Sequence, residues 1–279
     1  MMIECNFHGA GHFRITGVLI LSFLMMLFNS CGTLRPLPPR ELLSDERASG
    51  ILKEMEVQES RVGSFYAIGT ISARQWYGES EAGILIAGRK APFRLKIEMT
   101  HSWGKPILHI LIDQERLEVL SFNEERHYSG PFTPGTLSKF IPGELDAGLA
   151  WGVLRGYPQL LKHHRYASLK PGQIALFDQA GRKLEEIDVG PEGWRPVRVF
   201  FPDKKIQLFF SDFQENGDIA YAGVVRVEQI EPKQNLILRK KKVVFNKDIP
   251  DQIFRLEKPP GFDTYSFEEN DKIHAPVNK

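Results

Sequence analysis

Phe93-Arg94-Leu95-Lys96-Ile97-Glu98-Met99 is the stretch that decides the fold. Phe93, Leu95, Ile97 and Met99 fall on one face of an extended chain, and Arg94, Lys96 and Glu98 on the other. Successive strand side chains point to opposite faces, so the pattern reads as a half-buried β-strand. The same period of two governs the sequence before it: Phe65, Ala67, Gly69, Ile71 and Ala73 share a face, and Ala82–Ala87 forms another strand. Further strands are expected near Ile107–Asp113, Arg116–Phe122 and Arg126–Ser129. A second β-rich block runs through Gln173–Phe177, Lys183–Asp188, Val197–Phe201, Lys205–Phe213, Ala222–Ile230 and Leu236–Phe245. Asn216-Gly217-Asp218 and Gln179–Arg182 supply turn chemistry within it.

Helical periods flank and interrupt these blocks. Ser44 is suited to cap a helix whose first turn holds Asp45 and Glu46, with Ala48, Ile51, Leu52 and Met55 on one face. Between the blocks, Thr133-Pro134 opens a short helix, and Leu145, Leu149, Val153 and Leu154 mark a second that Gly156-Tyr157-Pro158 ends. Many consecutive antiparallel strands with one apolar face curl, and partial or full closure reduces exposed edges. The fold class is therefore mainly β (α+β), an antiparallel barrel of about 10–12 strands with an N-terminal helix and a helical lid. A membrane-spanning barrel would need Arg94, Lys96 and Glu98 in its lumen, so the apolar face points inward. That interior invites a ligand cavity; the alternative is a packed core.

The N-terminus points to the cell envelope. Val18–Phe28 is an apolar run too short to span a bilayer, preceded by Arg14 and followed by Ser30 and Cys31. It reads as a lipoprotein signal over residues 1–30 with lipid attached at Cys31; Phe28 and Asn29 depart from its usual form, and an ordinary secretory signal is the alternative. Residues 31–43 form a lipid-anchored, proline-rich tether, 44–262 the barrel domain and 263–279 a polar tail. A second acyl chain makes such an anchor stable. Cys5 and Cys31 are the only cysteines, and the formal charge is +1. No disulfide is expected in the mature chain, and no nucleic-acid partner, which would demand a basic excess.

The chain resembles the LolA/LolB group of periplasmic lipoprotein-sorting proteins, and its outer-membrane lipoprotein branch most. Phe65–Arg74 and Phe93–Glu98 carry the resemblance, with Ser102–Pro106, Phe140–Gly143 and Trp151–Pro158. It implies an unclosed barrel whose cavity holds acyl chains, a soluble periplasmic carrier as partner, and an apolar hairpin residue that touches the bilayer, here Trp103. Trp103 folded back over the barrel rim is the alternative. The expected lining is Phe65, Ile71, Leu85, Phe93, Leu95, Ile97, Ile110, Val199, Leu208 and Phe210, with Leu145, Leu149 and Val153 from the lid. Gly32 and Thr33 lack the aspartate that retains lipoproteins at the inner membrane, which favours the periplasmic face of the outer membrane.

No catalytic motif, cofactor or metal site is legible. His163-His164 read as a surface pair, His109 as a core histidine, and Glu144 and Asp146 as dressing for a helix start. Arg239–Lys242 reads as a solvated or edge-protecting strand, with contact to anionic headgroups as the alternative. A structural envelope lipoprotein with a filled core is the rival to an acyl-chain binder.

Overall fold

The computed structural model describes residues 41–75, 78–231 and 233–267. Helix α1 (Asp45–Ser60) is followed by strands β1 (Ser64–Gln75), β2 (Gly78–Arg89), β3 (Arg94–Thr100), β4 (Pro106–Asp113), β5 (Arg116–Ser121) and β6 (Arg126–Pro131). Two short helices, α2 (Pro134–Leu137) and α3 (Ala147–Arg155), lead into the second block. That block holds β7 (Arg165–Lys170), β8 (Gln173–Phe177), β9 (Lys183–Val189), β10 (Pro196–Phe201), β11 (Ile206–Asn216), β12 (Ile219–Gln229) and β13 (Gln234–Phe245). Strand β14 (Asp263–Ser266) comes last. Cys31, the signal and most of the tether lie outside the described residues.

All fourteen strands belong to one sheet in the order β14-β6-β5-β4-β3-β2-β1-β13-β12-β11-β10-β9-β8-β7. The ends, β14 and β7, do not pair, so the barrel is unclosed. Each block is a meander of antiparallel neighbours; β1 and β13 pair antiparallel and join the blocks. Two strands exceed expectation. Arg165–Lys170 shows no clean alternation, and its residues are half-buried or exposed. Asp263–Ser266 was expected in a polar tail but pairs in parallel with β6, and Phe267 behind it is buried. Backbone pairing, which side-chain polarity does not encode, extends the domain past residue 262.

One hydrophobic cluster fills the concave side, drawing on both blocks, α1 and α3. The capping expectations for α1 hold: Ser44 accepts from the Arg47 amide, and Ala48, Ile51, Leu52 and Met55 are buried. The convex side carries a smaller cluster. There Phe254 packs with Ala87, Leu111 and Ile249, Arg89 and Arg94 stack on its ring, and both pair with Asp251. His109 belongs to this convex side rather than to the core: Leu108, Ile110 and Ile112 are buried while His109 sits edge-on to Phe122 at 4.7 Å. The alternation along β4 puts the histidine on the opposite face from the core isoleucines.

A bulge on β13 sets the central register. Ile68 pairs with Lys242 and Gly69 with Lys240, leaving Lys241 unpaired. A Cβ at residue 69 would stand 1.9 Å from the Arg239 carbonyl oxygen. Gly69→Ala therefore lowers stability by about 1–3 kcal/mol, the usual range for overpacking. Gly50→Ala in α1, where the added methyl meets nothing within 4 Å, raises it by about 0.5–1 kcal/mol. Urea unfolding midpoints of the two variants check both signs.

Candidate functional site

The inward positions of the sheet form a continuous apolar wall. Phe65, Leu95, Ile110 and Val199 have no exposed surface, and Ile71, Ile97, Leu208 and Phe210 are also buried. From the lid, Leu145, Leu149 and Val153 are buried in the same cluster, and Phe93 packs partly buried at its margin. Leu85 is the exception. It is 40% exposed, because Ile84 and Ile86 take the inward positions of β2 and the residue between them points out.

Helix α3 occupies the space the wall encloses. Its Trp151 ring meets Phe65 edge-on at 5.0 Å and Phe93 at 6.2 Å. Asp146 caps the helix by accepting from the Leu149 amide and pairs with Lys204 at the β10–β11 turn. Gly156 ends it in the left-handed conformation (φ +91°), where its carbonyl accepts from the Ala222 amide at 2.6 Å. The open interior expected from strand count is thus filled in this conformation. Two clefts lie elsewhere: one of about 830 Å³ runs from Phe93 past the β4–β5 turn to Pro131, and one of about 510 Å³ lies between the end of α1 and Asn246–Ile249.

Buried polar groups gather where α3 ends. Arg155 is 1% exposed; its Nη2 donates to the Gln58 carbonyl of α1 at 2.6 Å, and its guanidinium lies 4.9 Å from the Tyr157 ring. Lys240, on the inner face of β13, donates to the Val153 and Ala222 carbonyls at 3.4 and 3.5 Å. Burial pushes the Lys240 ammonium down to about 7, helped by the neighbouring Arg155 charge. Burial likewise lowers Arg155 to about 10 and raises the Tyr157 phenol. Among the described residues, Arg155 Nε and Nη1, the Tyr157 hydroxyl and Trp151 Nε1 have no hydrogen-bond partner. On β9, the fully buried Glu185 accepts from the Leu161 amide, and burial raises its carboxyl to about 8.

Sequence reasoning missed Trp151, Arg155, Tyr157, Glu185 and Lys240 as interior residues. The signal for Lys240 was present: it continues the period-two series Leu236, Leu238. Arg239, Lys241 and Lys242 are exposed, as a solvated strand implies, but the run protects no edge, since β13 lies mid-sheet between β1 and β12. Trp103 stands where the resemblance put it, in the β3–β4 hairpin, 73% exposed and stacked on His101 at 4.4 Å. Asp146 dresses a helix start as expected. Among the described residues no cluster of three or more His, Cys, Asp or Glu could hold a metal, and no helix is long and apolar enough to cross a membrane.

By sequence, the chain matches no family model and no curated protein. Its structure is similar to a domain from Vibrio parahaemolyticus described as an outer-membrane lipoprotein-sorting protein. The TM-score is 0.50 at 10% identity, over 74% of this chain and 94% of that one. It is also similar to a DUF1329 family protein from Desulfovibrio piger, with a TM-score of 0.52 at 11% identity, over 76% and 98% of the two chains. A LolA superfamily protein from Nitrosomonas europaea aligns with a TM-score of 0.48 at 17% identity, over 75% and 97%. The fold is LolA/LolB-like. At these identities the likeness is one of fold alone.

The two buried titratable groups on the wall give the protein a two-sloped pH profile. Glu185 holds its proton in the folded state, so its contribution is present below about pH 4.5 and is lost as pH rises through about 8. Burial disfavours the charged form of Lys240, so its penalty is full below about pH 7 and is relieved as pH rises toward 10.5. Denaturation across this range should show Glu185→Gln flattening the acid-side fall and Lys240→Met removing the alkaline rise.

Proposed function

We propose that this protein binds acyl chains of lipoproteins or other lipids inside the unclosed barrel, with α3 as the element that gives way to them. The reading includes a lipid anchor at Cys31 on the periplasmic face of the outer membrane and a role in lipoprotein sorting or insertion, with a soluble periplasmic carrier as donor. It works by shape and burial, without bond chemistry.

The carrying observation is the packing of α3. A nine-residue helix fills an apolar wall while leaving four polar atoms on and just after it without partners. Each such buried group forfeits about 1–3 kcal/mol. A plug held at that cost is more easily displaced than one that is fully satisfied. The guest gains about 0.8 kcal/mol for each methylene taken from water, so a chain of roughly fifteen carbons gains about 12 kcal/mol gross. That gain is large enough to offset exposing the apolar side chains of α3. The rival reading, a scaffold lipoprotein whose filled core never opens, treats the same helix as permanent.

Native mass spectrometry and titration with a fluorescent fatty acid separate the two. Stoichiometric uptake, with co-purifying lipid, supports the carrier. A clean apo mass with no uptake rejects it in favour of the scaffold. Trp151→Ala shrinks the plug: it lowers folding stability by about 3–5 kcal/mol, the usual loss for a buried tryptophan, while speeding fatty-acid uptake. Unchanged uptake kinetics in that variant would remove α3 from the account.

The same reading gives Trp103 a task. An exposed indole at a hairpin tip suits the water–lipid interface. Trp103→Glu reduces transfer of bound lipid to vesicles and leaves the unfolding midpoint within about 0.5 kcal/mol of the parent, as for other exposed substitutions. Transfer at the parental rate would show that the hairpin is no membrane contact.

A further inference from the structure

We propose that Arg155, Tyr157 and Lys240 form a buried anion site that takes a phosphate or carboxylate group at the end of α3. This deepens the lipid-binding reading and rests on it for one source of the anion, a lipid headgroup; free inorganic phosphate is the other.

Arg155 and Lys240 are both buried, and the Arg155 charge acts on Lys240. No acidic side chain makes an ion pair with either among the described residues. Glu59, the carboxylate that acts on Arg155 from nearby, is engaged with Lys90 at 3.2 Å. Glu54, which faces Tyr157, accepts from the Gln58 amide. The remaining compensation is dipolar: the Gln58 carbonyl closes the last turn of α1, and the Val153 carbonyl that of α3. A helix C-terminus is worth roughly half a negative charge. Two of them balance about one of the two cations, so close to one unit of negative charge is missing.

Hydrogen bonding points the same way. Arg155 Nε and Nη1 are donors without acceptors, and the Tyr157 hydroxyl is unpartnered. The Lys240 contacts, at 3.4 and 3.5 Å, lie beyond the usual range for N–H···O bonds. The surplus is all of donors, which is what an oxyanion satisfies and what a cation or neutral guest does not. Backbone geometry adds room for exchange. The β12–β13 pairing stops at Val224 and Arg239, and beyond it the Ala222 amide turns to Gly156 instead. The anion site therefore sits where the wall parts and α3 inserts, with Lys240 on the wall and Arg155 on the movable helix. When α3 yields, Lys240 loses its Val153 carbonyl and stays on the apolar wall, at the place where an amphiphile's polar end would stop.

The test compares dodecyl phosphate with dodecanol, each displacing a fluorescent fatty acid, at a pH below the Lys240 transition, and adds inorganic phosphate alone in thermal melts. A preference for dodecyl phosphate of about tenfold or more is expected, from the strength of hydrogen bonds to charged groups. Lys240→Met should erase the preference by lowering dodecyl phosphate binding toward that of dodecanol; this establishes the headgroup as source. A melting shift from inorganic phosphate that the variant lacks, with no preference between the alkyl probes, establishes free phosphate as source. Equal binding of the two alkyl probes together with no phosphate shift overturns the site while the acyl-chain reading stands. If neither alkyl probe displaces the fatty acid, the acyl-chain reading fails, and the site stands or falls on the phosphate shift alone.

Discussion

The pairing of β1 with β13 is the constraint on which the rest of the structure depends. Within each block, neighbouring strands are close in sequence and pair through short turns. Only the β1–β13 ladder, from Phe65/Phe245 to Arg74/Asn235, joins the blocks into one sheet. Its bulge between Ile68 and Gly69 has a second effect. A strand's inward and outward positions alternate strictly, so an extra residue resets which side chains face the core. Leu236, Leu238 and Lys240 face in before the bulge, and Val243 and Phe245 face in after it. The ladder that unites the wall thus also delivers a lysine to the interior.

Helix α3 turns that wall into something other than an ordinary core. A sheet left open between β14 and β7 needs cover for its concave face, and α1 supplies part of it with Leu52 and Met55. Much of the remainder falls to nine residues capped by Asp146 and stopped by Gly156, with Leu137, Ile141 and Leu145 before them. Satisfying the wall's apolar surface and satisfying the helix's own polar termini are competing demands. The structure meets the first, while on and just after the helix Trp151 Nε1, Arg155 Nε and Nη1 and the Tyr157 hydroxyl are left without partners among the described residues.

What the sequence made legible follows from which forces it encodes locally. Period-two alternation located β1 to β6 and most of the second block, since burial of one face is written in every strand. The helix caps at Ser44 and Asp146 were readable for the same reason: a cap is a local hydrogen bond. Leu85 was misread because Ala82–Ala87 is apolar on both faces, so alternation gave no phase. Strands β7 and β14 were invisible because edge pairing is made by backbone groups. Lys240 was misread because it lies in a run of four basic residues, where composition suggested solvent and only the phase set by Leu236 and Leu238 suggested the core.

The retained interior charges argue against a purely structural role for the wall. Replacing buried charged groups with apolar ones of similar volume is often neutral or stabilising by about 1–4 kcal/mol. Among the described residues Lys240 has no carboxylate partner, so the penalty for keeping it is larger than for a paired charge. A core selected for stability alone would carry leucine or methionine at this position, continuing the series from Leu236. Arg155 invites the same reasoning, since one carbonyl bond to Gln58 does not require a guanidinium. Two buried cationic side chains with donors to spare fit the proposed reading, in which the groups that α3 leaves unsatisfied would meet a guest that carries negative charge.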